Sequence, residues 1–141
     1  MPMEEDLVAR LVGVPAIAAI IGTRAAWFEL PRAEGLPAIM LTMVYPGENW
    51  THEGPMALAS PRVQFDAFGQ DDTTVATLAR LIKAEMQRTD SVIVGDTEFL
   101  PPATLELSQL MKDQIGGTDM MPGLPVYRWL LDFNFNCQPA T

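Results

Sequence analysis

Nucleophilic catalysis needs a serine or cysteine with a base in reach, and this chain offers one imidazole, His52, and one thiol, Cys137. His52 falls in a stretch punctuated by glycine and proline. Cys137 sits on the apolar side of an alternating run, where a buried thiol is expected and a triad is not. Glu48, His52 and Glu53 have the residue types of a metal site, but they lack the spacing that brings ligands onto one ion, and they read as solvated loop charges. The adjacent carboxylates Asp71 and Asp72 are explained by helix capping, and Gly95-Asp96 and Gly116-Gly117 by turns, not by a phosphate cradle. The expectation is therefore no catalytic, metal-binding or cofactor-binding residue, and a protein that is not an enzyme. What remains are contact residues: Trp50, His52 and Met56 in one loop, Met120 and Met121 in another, and Trp27 on an edge strand. Aromatic and methionine side chains of this kind anchor interfaces between proteins.

These residues hang on elements that the hydrophobic period defines. Pro37 to Tyr45 carries Ile39, Leu41, Met43 and Tyr45 on one side, as in a buried strand. Arg62 to Phe68 sets Val63, Phe65 and Ala67 against Arg62, Gln64 and Asp66, the pattern of a strand with one face on a core. Val75, Leu78, Ala79, Ile82 and Met86 then recur at helical spacing. Tyr127, Trp129, Leu131, Phe133, Phe135 and Cys137 alternate with polar residues in a closing strand. An N-terminal helix over Met3 to Val12 is acidic in its first turn, where it complements the helix dipole, and Pro15 opens a second short helix that Gly22 stops. Thr23 to Leu30 reads as an edge strand, Pro31 to Gly35 as a turn, and Pro46 to Ala59 as a long loop joining the two strongest strands. Ser91 to Val94 and Ala103 to Met111 are weaker strands, the second with Leu105, Leu107 and Met111 opposed to Glu106 and Ser108. The fold class that follows is α+β, a mostly antiparallel sheet with helices packed on one face and an N-terminal helical segment.

Composition bounds the function. The chain has 141 residues, suited to a single domain, and is 48% hydrophobic and 19% charged, unlike a disordered sequence. Its net charge of -9 argues against conventional nucleic-acid binding, which draws on Lys and Arg. The same charge suits the wall of a channel through which DNA slides without sticking. Acidic residues occupy the N-terminus where a secretory signal would be basic, and Val14 to Ile21 is too short to cross a bilayer, so neither export nor membrane association is expected.

The stretches LPAIMLTMVYPGENW and SPRVQFDAFGQDDTTVATLARLIKAEM resemble the tail-completion (tail-terminator) family of long-tailed bacteriophages and related gene transfer agents. The resemblance extends to the N-terminal acidic, apolar helix with Gly22-Thr23-Arg24 and to the last strand through Leu131-Asp132-Phe133-Asn134-Phe135. It covers most of the chain but fits least well over residues 91 to 124, and its motifs are patterns of residue type without a catalytic signature. It implies a virion protein of the tail or neck, assembled in the host cytoplasm, that forms a hexameric ring at the head-proximal end of the tail tube. Such a ring ends tube polymerisation and joins tail to head. The implied partners are further copies of itself, the tail tube protein and a head-side stopper or connector, with DNA passing through the channel unbound. Two other readings stay open, a head-side connector and a small monomeric ligand-binding α+β domain.

Overall fold

The computed structural model describes residues 2–28, 36–51, 54–115 and 124–140. Two helices come first, α1 (Pro2–Val12) and α2 (Pro15–Ile21), divided at Gly13. Leu7 and Leu11 of α1 and Ile17 and Ile21 of α2 are fully buried, so the apolar stripes do face the core. Gly22 closes α2 with a φ of 62° and an N–H donated to the Ala18 carbonyl. The strands are β1 (Ala25–Trp27), β2 (Ala38–Tyr45), β3 (Glu48–Thr51), β4 (Gly54–Ala59), β5 (Arg62–Gly69), β6 (Val92–Val94), β7 (Thr97–Ile115) and β8 (Leu124–Pro139). A third helix, α3 (Asp72–Met86), follows β5. Asp71 caps it: one carboxylate oxygen accepts from the Thr74 backbone N–H at 2.7 Å and the other from the Thr74 hydroxyl at 3.0 Å. Those bonds favour the ionised form and hold the Asp71 carboxyl below its ordinary range.

The eight strands form one sheet, antiparallel except where β1 joins β2 in parallel. The fold is thus α+β, mostly antiparallel, as expected. Val63, Phe65, Leu131 and Phe133 pack against Leu78, Ile82, Leu7 and Leu11 in one apolar layer, with Phe65 and Phe133 edge to face at 5.7 Å. Polar contacts tie α1 across this layer. Asp6 accepts from the Asp96 N–H and the Thr97 hydroxyl, and the Trp27 indole N–H donates to the Glu4 carbonyl at 2.8 Å.

Three expectations are corrected. Pro46 to Ala59 is not an unstructured loop: β3 and β4 pair with each other and prolong the β2–β5 hairpin. The partnership of β8 with Val63 and Arg62 resumes in the same register at Ala59, opposite Cys137, so β4 and β5 act as one strand interrupted at Ser60-Pro61. Gly47 makes the bend possible. Its φ is 65°, its carbonyl accepts from the Ser60 N–H, and a Cβ there would collide with the Ser60 carbonyl. Alternation failed as a guide because bulges and glycine bends break the period.

The second correction concerns β7. Leu105 lies opposite Phe133, Leu107 opposite Asp132 and Ser108 opposite Leu131, so a bulge moves Leu107 to the other face from Leu105. Leu105 packs on the core and Leu107 is exposed. The third is that the far face of β5 is partly covered. Met40, Phe68 and Val126 form a small second cluster there, and Asp66 is fully buried. The edge strand expected over Thr23 to Leu30 is confined to Ala25–Trp27 among the described residues. The turn Pro31 to Gly35 lies outside the described residues, as do residues 116–123 of the second loop.

Candidate assembly surfaces

The face of the sheet turned away from the helices carries a ladder of charges across β5 and β8. The Arg62 Nε lies 3.0 Å from both Asp132 oxygens, the Arg128 Nε donates to Asp66 at 3.0 Å, and the Gln64 amide donates to the other Asp66 oxygen at 2.9 Å. Each ion pair is diagonal, with Arg62 directly opposite Asn134 and Asp66 opposite Leu130. Hydrogen bonding to Asp132, then its charge, raises the Arg62 pKa above the ordinary arginine value. Both carboxylates are thereby engaged by guanidinium groups.

Other chemistry is similarly committed. A shallow depression is bordered by Arg10, Arg88, Asp90 and Phe99. Arg10 is bound to Glu85 at 2.8 Å, however, and Arg88 to Asp90 at 2.7 Å. Among the described residues no three His, Cys, Asp or Glu side chains gather to hold a metal ion. Cys137 is 5% exposed, and burial first, then the nearby Glu4 charge, pushes its thiol up to about 11. Such a thiol is protonated and inert at neutral pH.

The apolar exposure is placed differently. Phe28, Val44, Tyr45, Ile93, Leu107 and Leu110 are the exposed large hydrophobic residues among those described, and all belong to the sheet's margins. Phe28, Val44 and Tyr45 follow β1 or end β2, while Ile93, Leu107 and Leu110 lie on β6 and β7. Phe28 is 63% exposed and has a φ of 57°, which turns the chain off the end of β1.

Of the contact residues expected from sequence, Trp27 stands in β1, partly buried, its ring 5.8 Å from that of Phe28. Trp50 lies in β3 opposite Pro55, and Met56 lies in β4. His52, Met120 and Met121 lie outside the described residues. The structure brings Trp50 and Met56 onto one hairpin, while Trp27 stands in β1 beside β2. Sequence reasoning missed Phe28, Leu107 and Leu110. For Phe28 the available signal was an aromatic residue three positions before Pro31; for the two leucines there was none, since a bulge decides which way they point.

A solved structure shares this architecture. It is a chain from the "Virion of native gene transfer agent (GTA) particle", with a TM-score of 0.62 over 96% of this chain and 94% of that one, at 11% sequence identity. At that identity the likeness concerns the fold. No family model matches this sequence, and no curated protein does.

Proposed function

We propose that this chain is a structural protein of a phage-like particle, and within it a tail-completion protein. The observation that carries the reading is the near end-to-end fold likeness to a component of a gene transfer agent virion. The resemblance of its strand, hairpin and helix patterns to the tail-completion family supports the finer role. The charge ladder is consistent with it, because paired ions make a surface for contact and not for chemistry. In this reading the protein is one domain that forms a ring, hexameric as in the family it resembles, on the head-proximal end of the tail tube. One side of the ring matches the last tube layer, while the other offers no surface for another layer and receives the head-side connector. Trp27, Trp50, His52, Met56, Met120 and Met121 are the contact residues proposed from sequence. DNA passes through the opening without specific binding.

Electron microscopy of particles made without this gene tests the role. Filled heads lacking tails, beside overlong or unjoined tubes, are the expected result. Emptied heads beside tubes of normal length would transfer the protein to the head-side connector, and normal infectious particles would remove it from assembly.

A further inference from the structure

The sheet ends in two unfinished edges whose outlines are complementary. On one edge β1 extends the sheet only opposite Ile39, Met40 and Leu41, and among the described residues no strand covers the outer side of β2 beyond that, or of β3. On the other, β6 covers β7 only at Thr97, Glu98 and Phe99, and from residue 100 to 115 no described strand lies outside it. Each edge thus has a short tab and a longer notch.

The registers fix their heights. Ala25 stands level with Ile39, Ala67, Trp129 and Leu110 in successive strands, and Trp27 level with Leu41, Phe65, Leu131 and Ser108. Val92 stands level with Phe99, Cys137, Ala59 and Glu48. The β1 tab is therefore at the height of the bare stretch of β7, and the β6 tab at the height of the bare β3. Polarity agrees as well. β2 runs opposite to β5, β5 to β8 and β8 to β7, so β2 and its parallel neighbour β1 run opposite to β7. A second copy standing upright beside the first presents β1 to β7 in the antiparallel sense.

The side chains supply the remaining argument. The exposed apolar residues divide between the same two edges, and Phe28, one step past Trp27, reaches the height of Leu107. A two-fold pairing of β7 with β7 would cover Leu107 and Leu110 but leave Phe28, Val44 and Tyr45 bare. Head-to-tail joining covers both edges at once.

We infer that copies of this chain join edge to edge, β1 of one copy filling the notch beside β7 of the next, with Phe28 seated against Leu107. The contact satisfies backbone donors and acceptors that an open edge leaves unpaired. Because tab and notch share one height, repetition adds rotation without axial rise, which is the condition for a closed ring and not a helix. That closure rests on the ring reading above.

Phe28→Cys and Leu107→Cys, singly and together, are placed in the full chain in its parent particle, and purified particles are treated with a short bismaleimide. The double variant is expected to give a ladder of chain multiples on a denaturing gel, and each single variant only monomer. Dimers from Leu107→Cys alone would pair two β7 edges and overturn the head-to-tail contact. A double variant incorporated but not crosslinked would overturn the edge contact while leaving the particle role intact; absence of the unsubstituted chain from particles would overturn that role and the closure with it. Should the cysteine variants fail to incorporate, amide exchange of the unsubstituted chain decides. Residues 104–110 are expected to slow at least tenfold on assembly, and unchanged exchange there would overturn the contact.

Discussion

Arg10 has the burial of a core residue and the charge of a surface one. Its Nε donates to the Glu85 carboxylate at 2.8 Å, another guanidinium nitrogen donates to the Glu85 carbonyl at 2.7 Å, and the group lies 5.1 Å from the centre of the Phe99 ring. These contacts fasten α1 to the end of α3, which is why an arginine is kept inside there. Truncating Arg10 leaves the Glu85 charge in a site that is only 10% exposed, with Arg88 at 3.5 Å as its remaining cation, and removing one member of a buried pair costs about 3 kcal/mol. Arg10→Ala is expected to lower stability by about that much in urea titration. The paired change Arg10→Met with Glu85→Leu is expected to recover most of the loss, since neither charge is then stranded. A double variant as unstable as the single would show that shape, and not charge, holds the two helices together.

Among elements, the prolonged first hairpin is the least conventional. A β2–β5 pair of ordinary length would close soon after Tyr45, yet β3 and β4 carry the pairing onward through a bend at Gly47. Alanine at this position must adopt a positive φ and clear the Ser60 carbonyl, so Gly47→Ala is expected to cost more than about 1 kcal/mol. Limited proteolysis is expected to cut first between residues 46 and 60, with the remaining sheet protected. Uniform loss of protection would mean that the bend supports the whole sheet and not the extension alone. Helices and the inner strands were legible in the sequence because each keeps one period from end to end: Val75 to Met86 at helical spacing, Tyr127 to Cys137 at two. The extension and β7 were not, because Gly47 and the bulges between Leu100 and Thr104 and between Leu105 and Leu107 reset the alternation within each element. The parallel partnership of β1 was illegible for another reason: three residues carry too little pattern to state a direction. The marginal residues Phe28, Leu107 and Leu110 inherit both difficulties, since what exposes them is strand order and register and not their own neighbours.

At the scale of the whole molecule, the net charge of -9 acts together with the way the cations are spent. Arg62 and Arg128 are tied to Asp132 and Asp66, Arg10 to Glu85 and Arg88 to Asp90. Arg24 donates to the carbonyls of Pro37 and Ile20, and Lys83 and Lys112 lie over the rings of Trp129 and Tyr127. Phosphate binding draws its free energy from the counterions that DNA releases when Lys and Arg neutralise its phosphates, and cations already engaged and surrounded by excess carboxylates supply little of it. In a titration of labelled duplex DNA at physiological salt, the purified protein is therefore expected to bind more weakly than about 10⁻⁴ M, the weak limit for nonspecific DNA-binding proteins. Micromolar binding with a steep salt dependence would mean that these cations remain available to phosphate, and would overturn the proposed passage of DNA without binding. Weak binding in the proposed ring as well would leave like-charge repulsion as the property that keeps DNA from adhering to it.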